Sequence, residues 1–318
     1  MFRVSYPDQV FETQGTRRVA RAVKELVNNP GATLAICGEH GVGKTVATWS
    51  ALRPYVKSGD VHLVDVLQPD HEHLTINMVV SSMVRVLKGE DKDGIRRDVE
   101  ARLEQLRGLL GRTSEISRVC LVIEDAHVVP LVLYRQLKRL METRYAARKG
   151  LFSLLLLGYP ELRMRLAAVP DQHQCTCYME LKKFSSSEAD AFARYAAALG
   201  KPEVEETACD RVAKQTQNAR RISTTIALMQ HEAKEMGEKK VTLEMANAWF
   251  AGEVKVLADL SPDSRAEISK KMGWSPSKTS RVISGDYPNA GSEQQKLITG
   301  LAAIRSGASR EPVPAGVQ

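Results

Sequence analysis

No stretch of the 318-residue chain approaches the ~18 consecutive apolar residues that a bilayer span requires. The first residues, Met1-Phe2-Arg3-Val4-Ser5-Tyr6-Pro7, hold no apolar core of the kind a secretory leader carries. The expectation is a soluble, cytoplasmic protein with no membrane partner. Cysteine is scarce, and Cys37, Cys120, Cys175, Cys177 and Cys209 form an odd set with no C-x-x-C pair. That excludes a disulfide framework and argues against a thiolate metal site, so all five are expected to be reduced and structural, with Cys175 and Cys177 on one face of a strand. His71-Glu72-His73 near Pro69 reads as a loop rather than a metal site. No Ser-His-Asp or Cys-His nucleophile arrangement is evident, nor a cluster of acidic residues fit to cut nucleic-acid strands, nor an internal repeat.

What is present begins with charge. Lys and Arg number 45 against 38 Asp and Glu, a formal net of +7 with a pI near 9.1, which favours a polyanionic partner such as nucleic acid. The length accommodates about two or three domains.

The sharpest motif is Gly38-Glu39-His40-Gly41-Val42-Gly43-Lys44-Thr45, a complete G-x-x-x-x-G-K-S/T phosphate loop. It lies between an apolar strand, Thr33–Cys37, and a helix-compatible segment, Val46–Leu52. Glycines let successive backbone N–H groups turn inward around phosphates, the lysine reaches the β and γ oxygens, and the hydroxyl serves Mg²⁺. The predicted ligands are therefore ATP and Mg²⁺.

Further elements alternate. Helical spacing covers 16–28, a strand 61–66, helices 75–87 and 93–111, a strand 119–123, a helix 130–148 and a strand 151–157 whose apolar run suits burial on both faces. A parallel α/β sheet follows, with its ligand at the strands' C-terminal edge, over residues 1–184. Ser185-Ser186-Ser187-Glu188 is a capping box that opens an all-helical stretch, a lid over 185–254. Residues 255–305 read as a separate all-α helix-turn-helix module, and 306–318, rich in Gly, Pro, Ala and Ser, as a disordered tail.

Phosphoryl chemistry also needs carboxylates, and strand 119–123 runs straight into Glu124-Asp125. The commoner order in such sites is Asp then Glu. Here Glu124 still reaches Mg²⁺, whereas the shorter Asp125 must polarise water from farther back. Tyr159 follows the strand 151–157 where a side chain would meet the γ-phosphate, and Asn218-Ala219-Arg220-Arg221-Ile222 opens a helix whose arginine would lean over the nucleotide.

The phosphate loop, the Ile-Glu-Asp strand, the sensor strand, the capped lid and the Ala-Arg-Arg-Ile helix together resemble the AAA+ superfamily. Within it the chain resembles the branch of Mu-type transposition ATPases (MuB, with TnsC and IstB as relatives) and of ExeA-like secretion ATPases. Phe11-Glu12-Thr13-Gln14 matches the MuB side, while Leu154–Arg163 looks equally like ExeA. The resemblance implies that Gly38, Gly41, Val42, Gly43, Lys44, Thr45 and Val46 hold the phosphates. It assigns Thr45 and Glu124 to Mg²⁺, Asp125 to the attacking water, and Arg220, with Arg221 beside it, to the second sensor. Lys44, Glu124, Asp125 and Arg220 form the implied catalytic set. Two positions depart from that family's pattern. Tyr159 stands where MuB-type proteins carry an asparagine, and 171–175 lacks the arginine that reaches a neighbouring subunit, a role left to Arg163 or Arg165. A weak or partner-stimulated ATPase is the expectation.

In the C-terminal module, Ser275, Ser277, Lys278, Thr279 and Arg281 lie where a recognition helix would present them to double-stranded DNA. In MuB a similar module precedes the ATPase; here it follows. Lys88, Arg96, Arg97, Lys138 and Arg139 are candidates for sequence-independent phosphate contacts in the channel of a ring, although a solvated charged face accounts for them equally. The leading reading is an ATPase that assembles with copies of itself on target DNA and recruits a transposase. An ATP-switched helix-turn-helix regulator and an ExeA-like ATPase, which would continue into a membrane segment, are the alternatives.

Overall fold

The computed structural model describes residues 10–66, 71–89 and 94–258. The module proposed over 255–305, with Ser275, Ser277, Lys278, Thr279 and Arg281, and the tail proposed over 306–318 lie outside the described residues apart from the first few positions of the module.

Two compact units emerge, and the first comprises residues up to Glu188 together with Asn218–Arg220. Its elements are α1 (Gln14–Asn28), β1 (Thr33–Cys37), α2 (Lys44–Ser58), β2 (Val61–Asp65), α3 (Ile76–Lys88), α4 (Val99–Ile116), β3 (Arg118–Ile123), α5 (Leu131–Met141), β4 (Ser153–Gly158), α6 (Glu161–Ala167), α7 (Pro170–Gln174) and β5 (Thr176–Glu180). The five strands are all parallel, in the order β2-β3-β4-β1-β5.

Burial follows strand position. Every residue of the central strands β1 and β4 is buried, while the edge strands β2 and β5 mix buried with part-buried and exposed positions. Successive side chains point to opposite faces and build two cores. Leu34, Ile36, Val122, Leu155 and Leu157 pack with Val19, Val23 and Leu52 of α1 and α2. Ala35, Leu121, Ile123, Leu154 and Leu156 pack with Val80, Leu106, Leu133 and Leu162 of α3 to α6. At roughly 1.5–3 kcal/mol for each fully buried large side chain, these layers fix the sheet and with it the loops at its edges.

Several expectations shift. α4 begins at Val99 rather than 93, because the Asp98 carboxylate accepts from the Ala101 amide at 2.9 Å and caps it. α5 stops at Met141 rather than continuing to 148. The chain turns instead into a tight hairpin in which Tyr145 and Arg148 exchange backbone bonds at 3.1 and 2.9 Å. Cys175 ends α7 and so shares no strand face with Cys177. The capping box holds, with Ser185 Oγ accepting from the Glu188 amide and the Glu188 carboxylate accepting from the Ser185 amide, and it opens α8 (Ser186–Ala198).

The second unit's described part covers 189–217 and 221–258. It contains most of α8, a two-stranded parallel pair β6 (Glu203–Val204) and β7 (Lys240–Val241), α9 (Glu206–Gln215), most of α10 (Ala219–Glu235) and α11 (Leu243–Ala258). Ala193, Val212, Ile226 and Met229 are among its buried residues.

The 145–148 hairpin carries backbone strain, since Ala146 and Ala147 hold φ of +46° and +65°. A left-handed alanine costs about 1–2 kcal/mol, part of which is offset in a glycine variant by the glycine's larger unfolded-state entropy. Ala147→Gly is expected to raise the urea midpoint, a net gain of about 0.5–1 kcal/mol with an unchanged m value. A lowered midpoint would show that the turn is not strained.

Candidate nucleotide-phosphate site

The phosphate loop leaves the sheet between β4 and β5. The Gly38 amide donates to Gly158 O at 3.2 Å and the Leu181 amide to Cys37 O at 2.8 Å. A Cβ at Gly38 would lie 2.4 Å from Leu181 O, so only glycine permits this approach. Val42 is buried and packs on the α1–α2 side. Gly43, with φ +93°, opens α2 without a side-chain cap, so the first amides of that helix, at Lys44, Thr45 and Val46, have no intrahelical acceptor. Those donors, together with the positive end of the helix, fit a phosphate. The Lys44 ammonium donates to Gly38 O and Glu39 O, each at 2.8 Å, and stands 5.0 Å from the Tyr159 ring centre. Burial lowers its pKa, against the opposing field of Asp125 and, more weakly, Glu124.

The carboxylates stand at the end of β3, with one strand, β4, between β3 and β1. Glu124 Oε1 accepts from Trp49 Nε1 at 3.0 Å, and its backbone oxygen faces His71 Nδ1 at 2.5 Å. His71 lies in a short 3₁₀ turn, His71–His73. Asp125 has φ +44°, a left-handed conformation that aspartate adopts more readily than most residues with a Cβ. Next to them, at the end of β2, burial and the Glu124 charge raise the pKa of Asp65. Among the described residues no group of three or more metal-ligating side chains exists. Thr45 and Glu124 are the side chains here that could hold a Mg²⁺ ion, which commonly keeps phosphate oxygens and water as its other ligands.

The segment Asn218–Arg220 clamps the loop. Asn218, buried, donates from Nδ2 to His40 O at 2.6 Å, and the Arg220 amide donates to Gly41 O at 3.0 Å. Arg220 also places a guanidinium nitrogen 3.1 Å from His40 Nε2, a contact that requires a neutral imidazole. Burial, then the charges of Arg220 and Lys44, lower the His40 pKa. A Cβ on Gly41 (φ +78°) would lie 2.6 Å from Asn218 Oδ1 and 2.9 Å from Arg220 Cβ. Tyr159 stacks against His127, with centroids 4.2 Å apart, and meets His40 edge-on at 6.3 Å. Burial lowers the His127 pKa and raises that of Tyr159.

The fold thus gathers Gly38, Gly41, Val42, Gly43, Lys44, Thr45, Val46, Glu124, Asp125, Tyr159 and Arg220 at one edge of the sheet. Arg221 is exposed and belongs to the second unit. Arg165 donates to Val129 O at 2.6 Å within its own chain, and Arg163 lies over the Tyr178 ring. Lys88 ends α3 beside the loop that carries Arg96 and Arg97, whose carbonyls accept from Arg102. Lys138 and Arg139 occupy the last turn of α5. The roles of His40, Asn218, Trp49 and His71 escaped sequence reading. Trp49 alone carried a signal, one helical turn beyond Thr45.

A parallel α/β core with a phosphate loop after β1 and paired carboxylates after β3 has the fold of a P-loop AAA+ core. The comparisons agree with it. Residues 28–166 match the family model described as an AAA domain. Among solved structures the chain is similar to the ORC2 protein of Aeropyrum pernix, at 13% identity and TM-score 0.60, covering 95% of this chain and 88% of that one. It is similar to Cdc6p of Pyrobaculum aerophilum, at 12% identity and TM-score 0.60 over 95% and 88%. It is also similar to the Aeropyrum pernix ORC1 protein, solved in complex with DNA, at 13% identity and TM-score 0.56 over 98% and 82%. The Thermotoga maritima RuvB Holliday junction branch migration motor matches at 12% identity and TM-score 0.53 over 96% and 93%. No curated protein matches the chain.

Two outcomes follow from the clamp. Asn218→Ala is expected to weaken ATP binding about ten-fold by calorimetry, the equivalent of one lost part-buried hydrogen bond of ~1.4 kcal/mol. Unchanged affinity would remove Asn218 from the site. Because His40 and His127 have pKa values lowered in the fold, the unfolded chain binds more protons than the native one in acid. Stability is therefore retained above about pH 6.5 and lost as pH falls below it. Urea titrations should show a shallower acid loss for His40→Gln/His127→Gln than for the parent.

Proposed function

We propose that this chain is an ATPase that binds double-stranded DNA under ATP control, assembles on it with copies of itself, and recruits and stimulates a separate transposase. One observation carries the reading. The phosphate loop is tied to Asn218–Arg220 through His40 and Gly41. Nucleotide phosphates compete with the Gly38 and Glu39 carbonyls for Lys44 and offer Arg220 a stronger partner than the neutral His40. ATP then distinguishes two arrangements of Arg220, which lies in the first turn of α10, and a ligand shifts only the equilibria it distinguishes.

Bound ATP and Mg²⁺ supply the activated phosphoryl group. Around it Lys44 and the α2 amides hold the phosphates, Thr45 and Glu124 take the metal, and Asp125 orients water. Trp49 holds one oxygen of Glu124, which leaves the other for the metal. Asp125, shorter than the glutamate usual in its place, favours slow turnover that releases the assembly rather than a fast motor. The DNA arm is supported by the net charge of +7 and by fold relatives that include a protein solved with DNA and a branch migration motor. In this reading residues 185–254 act as the lid and 255–305 as the DNA-binding module.

Sedimentation on random-sequence duplex tests it. Large assemblies are expected with ATP, smaller complexes with ADP, and no large assembly with Lys44→Ala. The same small fixed oligomer on DNA with and without ATP, or indifference to DNA, overturns the reading.

A further inference from the structure

The segment Arg135–Lys149 concentrates the chain's charge. It holds six cations, Arg135, Lys138, Arg139, Arg144, Arg148 and Lys149, against one carboxylate, Glu142, a net of +5 in fifteen residues where the whole chain carries +7. These residues form the end of α5 and the hairpin that follows it. Both lead into β4, so they lie at the N-terminal edge of the parallel sheet, opposite the edge that carries the phosphate loop.

Two of the six are committed to internal contacts. Lys138 stands 3.4 Å from Glu142 and from Cys175 Sγ, and Arg148 bonds Glu115 at 2.7 Å and Gly111 O at 3.0 Å. Arg135, Arg139, Arg144 and Lys149 make no ion pair among the described residues, and Arg135 and Arg139 share one face of α5 at i, i+4 spacing. Two cations in the last turn suffice to offset a helix C-terminus, so the surplus has no structural use there. Arg144, Lys149, Lys138 and Glu142 also line a cavity of about 490 Å³ together with Gly31 and Gly150.

The hairpin is held in place. Arg107 Nε donates to Arg144 O at 2.7 Å, and the Tyr145 ring packs where a Cβ on Gly111 would sit, 2.3 Å away. The strained Ala146-Ala147 turn is maintained by these contacts. The cations are therefore presented by a pre-organised backbone, which lowers the ordering cost of binding.

We infer that this cationic edge is a second, nucleotide-independent site for the phosphodiester backbone of duplex DNA. Four of its six cations are arginines, whose planar forks match phosphate oxygens. No large exposed apolar side chain lies within 135–149, as membrane-surface insertion would require. The one aromatic ring, Tyr145, is taken up by Gly111 and Arg148, so no anchor is free for a protein partner. The inference deepens the DNA arm of the function proposed above and rests on it.

The test is binding of a labelled random-sequence duplex to the full chain across salt concentrations, without nucleotide, comparing the parent with Arg144→Gln/Lys149→Gln. Arg18→Gln/Arg21→Gln on the exposed face of α1 removes the same charge and serves as control. Each phosphate contact contributes about 0.9 to the slope of log K against log salt, so loss of two lowers it by about 1.8. Between ~50 and ~200 mM salt the variant then loses about ten-fold less affinity than the parent. ATP binding, at the opposite edge, stays unchanged and reports an intact fold. Equal slopes for parent and variant would overturn this site while leaving the proposed function standing. A parent that binds the duplex only with ATP overturns this site alone, and one that fails to bind with or without ATP overturns both. Binding to anionic lipid vesicles that the same variant abolishes, without DNA binding, assigns the edge to a membrane surface instead.

Discussion

The phosphate loop can exist only because β1 is buried on both faces and delivers its C-terminal end to a fixed point. Thr33–Cys37 lies between β4 and β5, and the loop leaves that slot through Gly38, with Leu181 O where a side chain would otherwise sit. Everything the site does depends on this close approach. It orients the start of α2, sets Lys44 over Tyr159, and brings the loop's outer turn against Asn218–Arg220. An enlarged side chain at Gly38 would displace backbone rather than another side chain, and the interior has no slack to absorb it.

Electrostatics around the loop divide into committed and reserved groups. Glu124 is fixed through Trp49 and the His71–backbone contact, so its geometry belongs to the scaffold. Lys44 donates to two carbonyls, and one guanidinium nitrogen of Arg220 lies beside the His40 imidazole, neutral groups over which a phosphate is the stronger partner. A half-buried lysine with a lowered pKa gains from a phosphate more than it loses by leaving two carbonyls. The opposite edge of the sheet is organised differently, with excess arginine on a pinned hairpin, where no buried partner tunes the charge.

Much of the core was legible in the chain. The strands β1, β3 and β4 show as short apolar runs, the Gly and Lys spacing fixes the loop, and Ser185 with Glu188 announces α8. Each rests on interactions within a few residues, which sequence records directly. Where α5 ends was not legible, because Arg148 and Tyr145 leave helical geometry to meet Gly111 and Glu115, over thirty residues away in sequence. Nor was the use of Asn218, whose partner, His40, lies 178 residues earlier.

The sequence by itself determined the chemistry offered: a phosphate loop, two carboxylates in reversed order, a tyrosine at the sensor strand, an arginine-bearing helix start and a basic balance. Tertiary structure decided which of these meet. It placed Asn218–Arg220 against the loop rather than with the rest of its helical unit, tied Glu124 to Trp49, and set Arg165 inward on Val129. It also gathered Lys138, Arg144 and Lys149 around one concavity. The physical reason is range. Turn, cap and strand preferences act across a few residues, whereas these contacts are set by how the helical layers pack on a twisted sheet, a property of the whole core that no local spacing encodes.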